Sequence, residues 1–266
     1  MLPVMKARLR GWLTTLYAAT FMALFFFSSI PVMVLTRSGD LPMWFARKAW
    51  GPWGLWIAGA DLAIEMRAPI PDGPAIFAAN HSSALDIWAA VASIPRNVRF
   101  IAKAEVFRWP VFGWYMTVGG HVPVDRRDHD RAVASLAQAA VRVRNGTSLI
   151  VFPEGTRSRD NLVHAFKKGP FAIAAQAGVP VVPIAITGAG KVTPKDLLHV
   201  YPGPIRVTFG RPVRAAEFPG RDELLREVRR QIIEMDRAAG GPGGADEPAV
   251  AARGFEGDVG DVPDGR

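Results

Sequence analysis

The 266-residue sequence predicts a layered α/β domain preceded by an N-terminal membrane-associated helical hairpin. Three observations carry this reading. Residues 11–36 contain no charged side chain, residues 67–239 alternate short apolar runs with segments of helical period, and residues 240–266 hold few large side chains. The chain therefore divides into a membrane-anchoring segment at 1–66, a globular domain at 67–239 and a disordered Gly/Pro/Asp tail at 240–266.

The uncharged run includes Phe21-Met22-Ala23-Leu24-Phe25-Phe26-Phe27. As a straight helix at ~1.5 Å per residue it would reach about 39 Å, against a hydrocarbon core of about 30 Å. Lys6, Arg8 and Arg10 before it resemble the start of a signal peptide. Signal cores, however, run only ~7–15 residues and end at a small-x-small cleavage site, so the segment is read as retained. Ser28-Ser29-Ile30-Pro31 is expected to interrupt the helix, with Arg37, Arg47 and Lys48 beyond it. Four of the eight tryptophans, Trp44, Trp50, Trp53 and Trp56, follow among small residues, a composition suited to the headgroup layer.

Within the globular part, strands are expected at 75–79, 98–102, 121–124, 148–152, 181–187 and 205–209. Several are apolar throughout, as in strands covered on both faces. Helical spacing places helices at 83–93, 130–143, 169–177 and 221–237.

Charge narrows the partners. The chain carries 32 Lys+Arg against 24 Asp+Glu, a net +8, and the tail contributes −4 of this, which leaves +12 on residues 1–239. Nucleic acid, a membrane surface or a phosphorylated substrate would satisfy such an excess. The basic stretches Arg126-Arg127, Lys167-Lys168 and Arg229-Arg230 are short and lack interleaved aromatics, which argues against nucleic acid. With no cysteine, disulfides, thiolate metal sites and a cysteine nucleophile are excluded. His121, His129, His164 and His199 show no metal-ligand spacing, and no metal is expected.

Chemistry in α/β folds gathers where strands end. After the apolar Ile76-Phe77-Ala78-Ala79 comes Asn80-His81-Ser82-Ser83-Ala84-Leu85-Asp86. A His and an Asp five apart would lie about 140° apart on one regular helix. They meet if His81 occupies the turn and Asp86 the first turn of the following helix, with Ser82 or Ser83 capping it. The pair is then a base and its orienting carboxylate. After Leu149-Ile150-Val151-Phe152 comes Pro153-Glu154-Gly155-Thr156-Arg157-Ser158-Arg159, where guanidinium forks and a glycine that admits close backbone approach suit a phosphate.

These residues resemble the glycerolipid acyltransferases, and among them the 1-acyl-sn-glycerol-3-phosphate (lysophosphatidic acid) acyltransferases. The resemblance covers most of 75–187 in four ordered blocks. His81 to Asp86 is similar to the His-x4-Asp catalytic block. Gly120-His121-Val122-Pro123-Val124-Asp125-Arg126 resembles the second block, whose terminal arginine binds the acceptor phosphate, although Pro123 stands where an aromatic residue is commoner. Lys103-Ala104-Glu105 resembles an element near that phosphate, and Phe152 to Arg157 the third block, with Phe166-Lys167-Lys168-Gly169 following it as in the family. Val179-Pro180-Val181-Val182-Pro183-Ile184 is similar to the fourth.

The resemblance implies an αβα acyltransferase domain with His81 and Asp86 catalytic. It implies a substrate phosphate site of Lys103, Arg126, Glu154, Gly155, Thr156 and Arg157, in which Lys103, Arg126 and Arg157 form the clamp while Glu154 and Thr156 shape the turn or contact glycerol oxygens, and an acyl-donor site built by Val181, Pro183 and Ile184. The implied reaction moves a fatty acyl group from acyl-CoA or acyl carrier protein to the sn-2 hydroxyl of lysophosphatidic acid, giving phosphatidic acid without a cofactor. Lys167 and Lys168 face either donor phosphates or an anionic leaflet. The implied location is a membrane, with the catalytic domain on the cytoplasmic side as at a bacterial inner membrane. Two alternatives stay open: a different acceptor, such as lyso-ornithine lipid or a lysophospholipid, and a basic membrane-bound binding module without catalysis.

Overall fold

The computed structural model describes residues 2–124, 129–194, 199–246 and 248–251. The chain opens with α1 (Leu2–Thr36), a single helix that runs through Pro31. The expected interruption is absent. A proline inside a helix forgoes its own N–H bond, and just upstream Ser28 Oγ donates to the Phe25 carbonyl at 3.2 Å.

A second arm returns along α1: α2 (Asp40–Phe45), a π-helical turn (Ala46–Trp50) and α3 (Gly51–Ala58), stopped by Gly59 at φ +71°. Aromatic rings join the arms. Phe21 stacks on Phe45 and Trp50, and Tyr17 donates its hydroxyl to the Trp50 carbonyl at 3.0 Å. The buried positions described in α1, Ala7, Gly11, Thr14, Phe25, Phe26, Ser29 and Met33, fall on one side at helical intervals, while Trp12, Leu16, Leu24 and Phe27 face outward.

The sheet begins earlier than the sequence predicts. Residues assigned to the hairpin form β1 (Ala60–Met66), which pairs in parallel with β7 (Gly203–Phe209) along its whole length. The domain therefore starts at 60 rather than 67. The remaining strands are β2 (Ile76–Ala79), β3 (Val98–Lys103), β4 (Val122–Val124), β5 (Ser148–Val151) and β6 (Val181–Thr187). The spatial order is β1-β7-β6-β2-β5-β3-β4. β6, β2, β5, β3 and β4 run parallel, and β7 turns antiparallel to β6. All five parallel strands therefore deliver their C-terminal ends to one edge. Asp61 and Glu65 on β1 and the shortness of β4 discourage further pairing at the two sheet margins.

Alternation along β2 assigns the layers. Ile76 and Ala78 pack with Leu149, Val151 and the helices α6 (His129–Arg144), α7 (Gly169–Ala177) and α9 (Arg221–Ala238). Phe77 and Ala79 pack the other way, against α4 (Leu85–Ser93) and α3. Phe77 is fully buried, and truncating such a ring to alanine costs about 3–5 kcal/mol. The short helices α5 (Phe112–Val118) and α8 (Ala189–Val192) and the 3-10 turns Ala104–Arg108 and Ala215–Glu217 complete the chain.

The start of the expected tail is ordered against the domain. Val163 pairs with Gly244 and Phe166 with Val250, through bonds such as Val163 N–H to the Gly243 carbonyl at 2.9 Å and Ala251 N–H to the Phe166 carbonyl at 3.0 Å. Backbone pairing onto an otherwise open loop supplies the order that the composition alone does not. Residues 252–266 lie outside the described residues.

Candidate active site

At the end of β2, Asn80 bridges sideways to β6: its Oδ1 accepts the Ile186 N–H at 2.7 Å and its Nδ2 donates to the Ile186 carbonyl at 3.0 Å. That side chain extends the sheet by one pseudo-residue and fixes where the turn begins. His81 follows, and α4 starts four residues later with Asp86 in its first turn. Asp86 is fully buried, and its Oδ2 accepts the N–H groups of Ser82 and Ser83 at 2.6 and 2.7 Å. The same oxygen lies 2.9 Å from His81 Nδ1. One carboxylate thus shapes the turn and orients the ring, which leaves Nε2 as the nitrogen able to exchange a proton with substrate. Phe152, just past β5, stacks on the imidazole at 4.2 Å. Ser83 Oγ meets Thr193 Oγ1 rather than standing as a nucleophile beside the histidine.

Of the two roles expected for Glu154, its contacts fit the shaping of the turn rather than contact with substrate oxygens. It is 6% exposed, with Oε1 accepting the His81 N–H at 2.9 Å and Oε2 accepting the His164 N–H at 3.1 Å. An acid that is buried and occupied by two backbone donors is a strut beneath the turn, and its charge would repel phosphate. Burial pushes its carboxyl up to about 7, with the nearby Asp86 adding to the rise and the two backbone hydrogen bonds opposing it. Ser158 N–H closes the same turn on the His81 carbonyl at 2.7 Å.

Gly155 has φ +76°, and a Cβ there would stand 3.0 Å from Lys167 Cε, so both the turn and the close packing require glycine. Thr156 and Arg157 are exposed on this loop, and Lys103 is exposed at the end of β3, the neighbour of β5. Arg126 lies outside the described residues. Lys168 pairs with Asp222 at 3.1 Å. The expected acyl-donor residues are displaced: Val181, Pro183 and Ile184 are buried within β6 as part of the central sheet. None of the three lines an open space. Full burial on both sheet faces consumes their side chains in core packing.

The apolar space lies elsewhere. A cavity of about 400 Å³ opens between α1, the second arm, α4, β3 and α5, with Phe152, Leu85, Trp88, Val91, Phe25 and Met116 among its walls. Phe152 stacks on the His81 ring and lines this cavity, so a single side chain connects the two. His121 is also on the wall; burial pushes its imidazole down to about 3, with Arg99 contributing, and its neutral Nδ1 accepts the Phe100 N–H at 3.0 Å. Sequence reasoning missed the cavity because its walls come from segments far apart in the chain. The unbroken aromatic face of α1 was its one local signal.

A parallel-stranded α/β layer with a His–Asp pair at the strand ends and an apolar cavity beside it agrees with an acyltransferase domain, the class that the comparisons give. Residues 62–187 match the family described as Acyltransferase, and the chain belongs to that family. It is 30% identical over 200 residues to a 1-acyl-sn-glycerol-3-phosphate acyltransferase of Pseudomonas aeruginosa, covering 73% of this chain and 74% of that protein. It is 40% identical over 170 residues to a chloroplastic 1-acyl-sn-glycerol-3-phosphate acyltransferase of Brassica napus, covering 62% of this chain. The chain spans only 47% of that plant relative's length. The crystal structure of the 1-acyl-sn-glycerophosphate (LPA) acyltransferase PlsC from Thermotoga maritima superposes with a TM-score of 0.69 at 29% identity, covering 86% of this chain and 97% of that one.

Proposed function

We propose that the protein transfers a fatty acyl group from an acyl thioester of coenzyme A or acyl carrier protein to the sn-2 hydroxyl of lysophosphatidic acid, producing phosphatidic acid. The observation that carries this reading is Phe152, which stacks on the base and lines the apolar cavity, so that an acyl chain held in the cavity brings its carbonyl to His81. His81 Nε2 takes the hydroxyl proton as the oxygen attacks the thioester carbonyl. The tetrahedral intermediate then collapses, the C–S bond breaks, and the imidazolium returns the proton to the departing thiolate. Asp86 holds Nδ1–H and stabilises the imidazolium without taking the proton. No cofactor enters this balance.

Exposed Arg157 and Lys103, with Arg126 by resemblance, are the cations offered to the acceptor phosphate. The names of the Pseudomonas and Thermotoga relatives support the same acceptor.

Membrane seating follows from α1. Among the described residues it is the helix long and apolar enough to cross a bilayer, and its outer face exposes Trp12, Leu16, Leu24 and Phe27. Trp44, Trp53 and Trp56 extend this surface along the second arm. Acyl chain and acceptor then reach the site from the lipid phase, with the basic domain toward the cytoplasmic leaflet.

The test is an acyl-transfer assay of the full chain in mixed micelles with labelled acyl-CoA and acyl carrier protein donors against a panel of lyso-lipids. Turnover of lysophosphatidate above all other acceptors is the expected result. Preference for lyso-ornithine lipid or a lysophospholipid would move the acceptor, and no transfer to any acceptor would leave a lipid-binding module.

A further inference from the structure

The fold buries one guanidinium whose role the proposed reaction does not use. Arg229, midway along α9, is 7% exposed. Its Nη2 donates to the Val163 carbonyl at 2.9 Å and to the Ala245 carbonyl at 3.3 Å, and its Nε donates to the His164 carbonyl at 3.0 Å. Val163 C=O and His164 N–H are the two ends of one peptide group. That N–H is the donor to Glu154 Oε2 at 3.1 Å, and Glu154 Oε1 receives the His81 N–H at 2.9 Å. A single peptide therefore separates a buried cation from the buried acid under the catalytic turn.

Charge-assisted donation to an amide oxygen polarises the amide and strengthens its N–H as a donor. Desolvating a guanidinium is costly unless its donors are used, and here they converge on the loop that faces Glu154. We propose that Arg229 is a positioning residue for acyl transfer: through the 163–164 peptide it holds Glu154 bonded to both backbone N–H groups, and so fixes the backbone of His81. The inference rests on His81 being the base of the proposed reaction.

Several groups approach Glu154 among the described residues. His81 and Asp86 approach from the turn between β2 and α4, and Lys167 packs against Gly155. His164 stands on the far side with its ring 2.9 Å from Asp160, and Arg229 lies behind the peptide. Loss of the buried cation raises the proton affinity of Glu154, while the other groups stay in place.

The experiment uses the full chain in detergent with two readouts. One is the pH profile of kcat and KM with lysophosphatidate and acyl-CoA. The other is the carbon-13 titration of the Glu154 carboxyl, assigned by its loss in Glu154→Gln, which needs no turnover. In Arg229→Gln the acid limb of kcat and the Glu154 midpoint should both move up by about half a pH unit or more, with KM within about threefold of the parent. Arg229→Lys, which keeps the charge but loses the fork, should move both less; if the glutamine variant does not fold, any upward shift in the lysine variant supports the proposal and none overturns it. A kcat lowered equally at every pH, with the Glu154 midpoint unmoved, reduces Arg229 to a structural residue and overturns it. Absence of turnover in the parent protein would instead overturn the reading of His81, and the carboxyl midpoint would still report on the Arg229 contact.

Discussion

Asp86 Oδ2 lies 2.9 Å from His81 Nδ1 while also accepting the N–H groups of Ser82 and Ser83, so one atom sets both the ring and the turn that carries it. His81→Ala should abolish acyl transfer and leave the fold unchanged by circular dichroism; activity within about tenfold of the parent would refute the base assignment. Asp86→Asn should lower kcat by about a hundredfold or more with a far smaller change in KM. It should also lower the melting temperature, because a neutral amide oxygen accepts the buried Ser82 and Ser83 N–H groups more weakly than the carboxylate does.

Glu154 makes stability depend on pH. Its carboxyl is raised from an ordinary 4.5 to about 7 in the fold, so between those values the folded chain binds more protons than the unfolded chain. Stability from this group is therefore full below 4.5 and declines as pH rises toward 7. Chemical denaturation of the parent and Glu154→Gln at half-unit steps should show this slope in the parent and its disappearance in the variant. Equal slopes would mean that another group titrates there.

Arg157→Ala should raise the KM for lysophosphatidate by about tenfold with kcat little altered, as expected when a cation binds the acceptor phosphate equally in ground and transition states. Lys103→Ala should act in the same direction more weakly, since a point charge replaces a fork. Unchanged acceptor KM in both variants would place the phosphate elsewhere.

The cavity sets which chains fit. Val91 is buried in α4 and on the cavity wall, and Val91→Phe takes space from the chain without touching His81. Competition between acyl-CoA donors should show a shift toward chains at least two carbons shorter. Gly54 offers a second probe: a Cβ there would lie 2.6 Å from the Trp88 ring, so Gly54→Ala should push Trp88 into the cavity and act in the same sense.

Trp12, Trp53 and Trp56 are 63, 56 and 77% exposed, an apolar display that water tolerates poorly. Replacing all three with serine should weaken co-sedimentation with anionic vesicles several-fold while sparing turnover of micellar substrate. Undiminished sedimentation would assign the lipid contact to other residues.

The site was legible where chemistry is local in sequence. The spacing of His81 and Asp86 is a weak sign alone and gains meaning beside the loop from Pro153 to Arg159, with its arginines and glycine, and the resemblance to the acyltransferase blocks. For Glu154 the sequence leaves turn-shaping and substrate contact both open, and its two partners, backbone groups that no sequence pattern displays, favour the first. Val181, Pro183 and Ile184 follow the same logic in reverse: a run similar to the fourth family block is, physically, a strand buried on both faces. β1 was hidden because Asp61 and Glu65 interrupt its apolar residues immediately after a tryptophan-rich segment, and only pairing with β7, far along the chain, makes it a strand. The break expected at Pro31 failed because packing of α1 against the second arm outweighs the loss of one hydrogen bond.

The pairing of Val163 and Phe166 with Gly244 and Val250 bears on biosynthesis. On the ribosome, α1 is made first and the histidine turn follows it. The backbone partners of the loop beside that turn are translated near the end of the described chain. The His81 turn is therefore made well before the residues that close the loop beside it, and a premature stop after α9 would leave that loop without its backbone partners.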